Sequence, residues 1–158
     1  MRIVSGGQSG VDRAALDAAI AQGRPVGGWC PKGRWAEDGP IPERYPLVET
    51  PSRRPEQRTR WNVRDSEALL VIVGDEPSRG TRLAESMARR LDRPVLSVHV
   101  DDRTAAARIV GWLSDVRPAS LNVAGPRESE SPGIYRRTLS LLEAAMKEAL
   151  RASDPTDA

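Results

Sequence analysis

The stretch Ser5–Ile20, SGGQSGVDRAALDAAI, decides the fold of this chain, because a glycine-rich turn leads directly into a run of helix-forming residues. Ile3 and Val4 before it favour a buried strand, and the alanines after it favour a helix. Ser9 is predicted to cap that helix, and Asp12, three residues later, to complete a capping box. The start of such a helix offers free N–H groups and the positive end of the helix dipole. The stretch therefore predicts either a site for a phosphate, carboxylate or other oxyanion, or a tight turn that binds nothing.

Strand and helix patterns alternate along the rest of the chain. This alternation predicts an α/β fold, in which a mostly parallel, doubly wound sheet of five strands has helices on both faces. The predicted strands cover residues 1–4, 25–29, 68–73, 95–100 and 120–124, and the predicted helices cover residues 10–20, 58–67, 78–91, 104–114 and 131–152, with Ser131 as the cap of the last helix. Residues 1–152 are expected to form one ligand-binding domain, and residues 153–158 a disordered tail.

Two segments differ from this regular pattern. Ala68–Val73 reads ALLVIV, a continuous apolar run that is typical of a central strand buried on both faces. Between residues 30 and 55 the chain is rich in proline, and we interpret it as too polar to contain a core element. A loop of this length is either functional or a disordered insertion. Cys30 at its start is interpreted as a small buried hydrophobe beside Trp29, with a soft ligand facing a crevice as the alternative.

In open α/β sheets, ligands bind outside the carboxyl ends of the strands. The loops at those ends, residues 6–10, 27–33, 79–81 and 122–129, are rich in glycine, arginine and amide side chains and are expected to converge on one crevice. Glycines and hydroxyls would hold a phosphate, arginines would neutralise it, a tryptophan would stack on a planar ring, and Asn122 would contact the polar edge of that ring. The predicted ligand-binding residues are Gly6, Gly7, Gln8, Ser9, Gly10, Trp29, Lys32, Arg34, Arg60, Trp61, Arg64, Gly80, Thr81, Asn122, Gly125 and Arg127.

The distribution of charge supports an anionic ligand. The chain of 158 residues has a net charge of only +2, but 22 of its 24 basic residues are arginine. Residues 53–64, RRPEQRTRWNVR, contain five arginines and the single acid Glu56. Arginine suits the planar recognition of phosphate-like groups, so this segment is predicted to form one wall of the crevice, with a solvated basic face as the alternative. Contact with nucleic acid ranks last, because Trp61 is the only aromatic residue of the segment.

Several kinds of site lack their sequence signatures. The second predicted strand ends in Gly27, Gly28 and Trp29 instead of an acidic residue for a ribose, which disfavours NAD, and no G-x-x-x-x-G-K-[ST] motif is present. One cysteine and one histidine cannot form a zinc site of the usual spacing, so no metal site is expected. The sequence has neither a long apolar run nor an N-terminal signal pattern, and its lone cysteine suits a reducing compartment. We therefore expect a cytoplasmic protein without membrane contact.

Four blocks of the sequence carry a family resemblance. They are SGGQSGVDRAALDAAI from residue 5, GGWCPKGRWAEDGPIPERYPL from residue 27, RTRWNVRDSEALLVIV from residue 58 and LNVAGPRESESPGIY from residue 121. Block by block, they resemble the bacterial molybdenum cofactor carrier protein family. That family is similar to the LONELY GUY and sensing-ligand superfamily of Rossmann-like proteins, which bind nucleotides or related small anions. The resemblance implies a Rossmann-like five-stranded core, a homo-oligomer (dimer or tetramer), a pocket at the carboxyl edge of the sheet, and molybdenum cofactor as cargo.

One departure from this superfamily bears on catalysis. Its phosphoribohydrolase branch carries a P-G-G-x-G-T motif followed almost at once by a catalytic glutamate, whereas here the nearest acid after Gly80-Thr81 is Glu85, a helical turn further on. Cleavage of an N-glycosidic bond needs a carboxylate close to the developing charge. We therefore interpret the chain as a binding or carrier protein for a phosphate-bearing small anion, either molybdenum cofactor (molybdopterin) or a nucleotide, with no catalytic residue. The alternative is a nucleotide or nucleoside-phosphate hydrolase that uses the same crevice, with Glu85 or Asp12 as its acid.

Overall fold

The structure, a computed structural model, describes residues 1–153 of the chain. This part contains five helices and seven strands. The strands are β1 (Arg2–Val4), β2 (Val26–Gly27), β3 (Trp29–Cys30), β4 (Val48–Glu49), β5 (Ala68–Val73), β6 (Val95–His99) and β7 (Ser120–Ala124). The helices are α1 (Val11–Ala21), α2 (Pro55–Arg64), α3 (Arg79–Arg90), α4 (Ala105–Val116) and α5 (Ile134–Ser153). Of the tail expected at 153–158, Ser153 ends α5 and residues 154–158 lie outside the described part.

Five of the strands form one parallel sheet in the order β2-β1-β7-β5-β6. At its centre, Asn122 of β7 lies opposite Val4 of β1 and Leu69 of β5. The chain moves outward from β1 to β2, crosses to β5 and β6, and returns to the centre as β7. The carboxyl ends of β1, β7 and β5 therefore lie side by side. This arrangement confirms the predicted α/β fold with a parallel five-stranded sheet.

Helices bury both faces of this sheet. Leu70 and Ile72 of β5 belong to an apolar cluster that includes residues of α1, α4 and α5. Leu69 and Val71 belong to a second cluster with residues of α2 and α3. Each of these four side chains is at most 1% exposed. The ALLVIV run is thus a strand buried on both faces, as its continuous apolar pattern predicts.

The proline-rich segment between β3 and α2 contains a small core of its own, which corrects the interpretation that it is too polar for one. Cys30, Ile41, Tyr45 and Leu47 are buried together with Leu16 of α1. β3 and β4 pair as a separate two-stranded parallel sheet. The apolar residues of this segment are separated by irregular turns, so they follow neither a helical nor a strand period and the sequence pattern does not reveal the cluster.

Arg34 supplies much of the hydrogen bonding inside this segment. Its guanidinium donates to the main-chain carbonyls of Ile41, Pro42, Tyr45 and Leu47 at 2.8 to 3.0 Å. These bonds satisfy carbonyl groups that have no helix or sheet partner. One half-buried cation therefore joins four points of the irregular chain.

Two predicted element boundaries are shifted by local causes. The predicted second strand is divided at Gly28, whose φ of 135° turns the chain out of the main sheet. A Cβ atom at Gly28 would also lie 2.3 Å from the carbonyl oxygen of Ser5, so only glycine fits there. α2 begins three residues earlier than predicted, at Pro55, because proline suits the first turn of a helix.

The cap of α5 also differs from the prediction. α5 begins at Ile134, and the carboxylate of Glu128, instead of Ser131, accepts hydrogen bonds from the N–H groups of Gly133 (2.6 Å) and Tyr135 (3.0 Å). A carboxylate is favoured at the positive end of a helix dipole. Within residues 1–153, no helix is long and apolar enough to cross a membrane.

Candidate functional site

A cavity of about 370 Å³ lies at the carboxyl edge of the main sheet. Its walls come from the loop after β1, the N-terminal part of α2, the start of α3 and the loop after β7. These segments meet because β1, β7 and β5 end side by side. The cavity therefore occupies the place where the sequence analysis expects a crevice.

Half of the predicted ligand-binding residues line this cavity. They are Gly6, Gln8, Arg60, Gly80, Thr81, Asn122, Gly125 and Arg127. The other half lie outside its lining, and they are Gly7, Ser9, Gly10, Trp29, Lys32, Arg34, Trp61 and Arg64. The sequence reasoning also missed lining residues, among them Arg58, Asn62, Ser78 and Arg79.

Ser9 does not cap α1, contrary to the prediction. The helix begins at Val11 with Gly10 as its N-cap, and no side chain caps it. The hydroxyl of Ser9 instead donates to Glu37 Oε1 (2.5 Å) and accepts a hydrogen bond from the N–H of Glu128 (3.1 Å). Gly10, with a φ of 79°, takes the cap position because its backbone tolerates this conformation, and Ser9 connects three loops.

Gly7 and Gly10 provide close packing within the protein. A Cβ atom at Gly7 would lie 2.5 Å from Leu47 Cδ1, and one at Gly10 would lie 2.5 Å from the carbonyl oxygen of Pro126. Both glycines also have positive φ angles. They let the loop after β1 pack against its neighbours, whereas Gly6 belongs to the cavity wall.

Asp12 and Arg58 form a largely buried ion pair in the cavity wall. Arg58 Nη1 lies 3.1 Å from Asp12 Oδ2, and the two side chains are only 15% and 6% exposed. The N–H of Gln8 also donates to Asp12 Oδ2 (3.3 Å), so the acid of the predicted capping box reaches back to Gln8 instead of Ser9. Burial raises the pKa of Asp12, and the charge of Arg58 and the bond from Gln8 offset this only in part.

Gly6 makes room for the guanidinium of Arg58. A Cβ atom at Gly6 would lie 2.1 Å from Arg58 Nη1 and 2.6 Å from Cζ. The sequence shows Arg58 only as one of five clustered arginines. Arg58 of α2 reaches the cavity because its guanidinium fits against Gly6 in the loop after β1.

The start of α3 presents polar groups to the cavity. Ser78 is the N-cap, and its hydroxyl accepts a hydrogen bond from the N–H of Thr81 (3.4 Å), as the sequence allows. The N–H groups of Arg79 and Gly80 belong to the first turn, where a helix has no internal acceptor for them. Apart from its chain neighbours and the backbone of its own helix, no atom lies within 4 Å of the position that a Cβ on Gly80 would take. The space beside this first turn of α3 is therefore open.

Two buried polar atoms of the cavity lining have no hydrogen-bond partner among the described residues. They are Thr81 Oγ1 and Arg58 Nε. A buried polar group without a partner is uncommon, because it loses its hydration without compensation. Both atoms belong to residues of the same cavity wall.

The two tryptophans predicted to stack on a ring lie behind the cavity wall. Trp29 and Trp61 contact each other edge to face, with 4.8 Å between their ring centroids. Asn62, which lines the cavity, accepts from the Trp29 N–H (2.7 Å) and donates to the Trp29 carbonyl (2.9 Å). Arg64 lies over Trp61 and pairs with Asp65 (2.6 Å). This group joins α2 to β3.

Arg127 lines the cavity between two carboxylates. Its Nε lies 3.6 Å from Glu130 Oε1 and 3.8 Å from Glu37 Oε2. Glu37 comes from the proline-rich segment, and its carboxylate also accepts hydrogen bonds from the hydroxyl and N–H groups of Ser129 (2.6 and 3.0 Å). No sequence signal indicates Glu37, because it is far from Arg127 along the chain and follows no regular element.

The comparisons with known proteins agree with this fold. The model of the circularly permutated YpsA SLOG family matches residues 3–146. The chain belongs to this family. A crystal structure of a "putative molybdenum carrier protein" from Syntrophus aciditrophicus SB is 40% identical to the chain, with a TM-score of 0.86 over 92% of this chain and 94% of that one. No curated protein matches the chain.

Membership of the circularly permutated YpsA SLOG family confirms the resemblance that the four sequence blocks carry. The matched range includes every residue that lines the cavity. Glu85, the first candidate for a catalytic acid, does not line the cavity. Its carboxylate accepts a hydrogen bond from the hydroxyl of Ser97 in β6 (2.8 Å). Within the described residues, no group of three or more His, Cys, Asp or Glu side chains could hold a metal ion.

Proposed function

We propose that this protein binds a phosphate-bearing small anion in the cavity at the carboxyl edge of its sheet. The observation that carries the proposal is the pair of buried atoms without partners, Thr81 Oγ1 and Arg58 Nε. The hydroxyl and the guanidinium can both donate hydrogen bonds, and an anionic oxygen is the acceptor that both groups favour. A bound anion that both groups reach would supply the missing acceptor and so remove the energetic cost of leaving them without a partner.

The charges and dipoles around these two atoms favour the same class of ligand. Four arginines line the cavity, and they are Arg58, Arg60, Arg79 and Arg127. Three acids also line the cavity, and two of them are matched by cations, since Asp12 faces Arg58 and Glu130 faces Arg127. The third, Glu56, leaves the four arginines in excess. The positive end of the α3 dipole and the free N–H groups of Arg79 and Gly80 add to the attraction. Gly6, Gln8 and Gly125 would bring main-chain atoms close to the anion.

The size and the apolar part of the cavity suit an organic ligand larger than phosphate. A volume of about 370 Å³ falls within the roughly 300 to 1,000 Å³ that is usual for small-molecule sites. Leu83 is a partly exposed apolar residue of the lining, and the amide of Asn122 could contact the polar edge of a ring. We propose that a pterin or a nucleobase lies against Leu83, because Trp29 and Trp61 are outside the lining.

The proposed identity of the ligand is supported by the relative and by this chemistry. A structure 40% identical to this chain bears the description "putative molybdenum carrier protein". This likeness supports molybdenum cofactor, whose molybdopterin has a phosphate and a pterin, as the cargo, with a nucleotide as the second candidate. The homo-oligomer and the cytoplasmic location expected from the sequence remain part of the proposal. Native mass spectrometry of protein purified without added ligand would report both the retained mass and the subunit number.

Arg60 and Arg64 provide a matched test, because they lie one turn apart on α2 and only Arg60 lines the cavity. We expect Arg60→Ala to weaken the binding of inorganic phosphate and AMP by roughly tenfold, the lower end for a hydrogen bond to a charged group. Arg64→Ala should leave both affinities unchanged. Isothermal titration calorimetry measures them, and circular dichroism checks the fold.

The results of the calorimetry and of the native mass spectrometry separate the proposal from its alternatives. Equal affinities of the wild type and the two variants would place the anion away from α2. Failure of the wild type to bind either probe would refute a phosphate-binding cavity. A retained mass that is neither a pterin nor a nucleotide would refute the proposed cargo but not the site.

The second candidate function is hydrolysis of a nucleotide or nucleoside phosphate in the same cavity. Asp12 is the observation that favours it, because this buried carboxyl has a raised pKa and belongs to the cavity wall. Such a group could act as an acid close to a bound sugar. Chromatography of the AMP samples used for calorimetry would detect free adenine. Adenine release that stops in Asp12→Asn, while AMP still binds, would make the protein an enzyme.

A further inference from the structure

The guanidinium of Arg127 lies between two carboxylates. Its Nε lies 3.6 Å from Glu130 Oε1 and 3.8 Å from Glu37 Oε2. Both distances exceed that of a good hydrogen bond, so these contacts are mainly electrostatic. The Arg127 side chain is 41% exposed. It is therefore attracted to the carboxylates without being fixed by them, and it can move toward another anion.

Glu37, in contrast, is fixed from several directions. Its carboxylate accepts hydrogen bonds from Ser9 Oγ (2.5 Å), Ser129 N–H (3.0 Å) and Ser129 Oγ (2.6 Å). Its own N–H donates to Gln8 Oε1 (2.9 Å). Burial raises the pKa of Glu37, but the bonds from Ser129 and Ser9 and the charge of Arg127 outweigh it, so the pKa lies below its usual value. Glu37 is thus a negative charge held in place beside the partly exposed guanidinium of Arg127.

Glu37 does not line the cavity, whereas Arg127 and Glu130 do. Any effect of Glu37 on a ligand in the cavity would therefore act through Arg127. We propose that Glu37 and Glu130 are positioning residues that hold Arg127 back, so that an anion in the cavity competes with them for its guanidinium. This inference rests on the proposed function, and it adds that the two carboxylates lower the affinity of the site.

Glu37→Gln tests the inference, with inorganic phosphate and AMP as probes in isothermal titration calorimetry. Glutamine keeps a carbonyl oxygen for Ser9 and an amide that can bond to the hydroxyl of Ser129, so the loops should stay joined. We expect both probes to bind about two- to fivefold more tightly, the range for one partly exposed ion pair. Asp38→Asn is the matched control, because this neighbouring acid pairs with Arg13 at 3.2 Å and should leave affinity unchanged.

A double-mutant cycle shows whether the effect passes through Arg127. In an Arg127→Ala background, Glu37→Gln should no longer tighten binding. An equal gain in both backgrounds would indicate a general change of the local field and overturn the inference. Unchanged or weaker binding by folded Glu37→Gln would overturn it as well, since it would show that Glu37 supports the ligand-bound position of Arg127.

Three further outcomes distinguish a failure of this inference from a failure of the proposed function. If Glu37→Gln does not fold, Glu130→Gln carries the test from the other side of Arg127, with the same expected gain and the same loss of that gain in Arg127→Ala. If the wild type binds neither phosphate nor AMP, the proposed function fails, and this inference fails with it. If the wild type binds and neither glutamine variant differs from it, only the inference fails.

Discussion

Replacement of Thr81 by valine should separate ligand binding from folding stability. Valine has nearly the shape of threonine but lacks Oγ1, which is buried and has no hydrogen-bond partner within residues 1–153. A buried polar group without a partner costs about 1 to 3 kcal/mol. Because Thr81 is still 8% exposed at the cavity, we take the lower end. Thr81→Val should then raise the free energy of unfolding by about 1 kcal/mol, or the melting temperature by roughly 2 to 4 °C.

The same substitution should weaken anion binding. If Thr81 Oγ1 donates a hydrogen bond to a phosphate oxygen, that bond is worth about 1.5 to 3 kcal/mol. The affinity for inorganic phosphate should therefore fall roughly tenfold to hundredfold. Few substitutions make a protein more stable and a weaker binder at once, so the combination is diagnostic of a side chain that serves the ligand.

Two other threonines provide matched controls in urea denaturation and calorimetry. Thr138 Oγ1 is also buried without a partner but lies outside the cavity lining, so Thr138→Val should raise stability and leave affinity unchanged. Thr59 lines the cavity, but its hydroxyl donates to the carbonyl of Pro55 (3.1 Å), so Thr59→Val should lower stability. The reasoning is refuted if Thr81→Val binds phosphate as tightly as the wild type, or if it loses stability.

Two further predictions concern charged side chains with several partners. Arg34→Ala should lower the free energy of unfolding by at least about 3 kcal/mol, the value of two charge-assisted hydrogen bonds, because the carbonyls of Ile41 and Leu47 lose the guanidinium as their donor and those of Pro42 and Tyr45 keep only a main-chain donor. Urea denaturation measures this, and a loss below about 1 kcal/mol would contradict it. For Asp12, whose pKa in the folded protein is raised above its ordinary value of 3.8, the folded state holds the proton more tightly than the unfolded chain. The stability of the wild type relative to Asp12→Asn should therefore fall as pH rises above about 3.8 until the folded pKa is passed. Denaturation curves at several pH values measure this difference, and a difference that grows with pH would show that the pair with Arg58 outweighs burial.

The elements of the main sheet can be predicted from local patterns. The continuous apolar run of β5 and the position of β7 match their predicted limits, and α3 begins within its predicted range, with Ser78 as its cap. These features depend on residues that are close in sequence, where the period of apolar residues and the cap are both visible. The alternation of strands and helices then requires a parallel sheet, and a parallel sheet places the loops after its strands at one edge.

The small core between β3 and α2 could not be predicted in this way. Ile41, Tyr45 and Leu47 are buried by contacts with α1 and by the bonds of Arg34, and neither partner is visible as a local pattern. The irregular backbone hides the apolar residues from any periodic analysis. The cap at Ser9 fails for a related reason, because Glu37 and the loop after β7 bind its hydroxyl.

The sequence by itself determines the parallel sheet, the edge at which the loops meet and the arginine-rich character of that edge. Only the tertiary structure decides which side chains face the cavity: Arg58 does and Arg64 does not, although both belong to one helix. The direction of Arg58 depends on the bare backbone at Gly6 and the charge of Asp12, and that of Arg64 on Asp65 and Trp61. The sequence shows how many arginines the segment contains. Packing between distant segments decides which of them can reach a ligand.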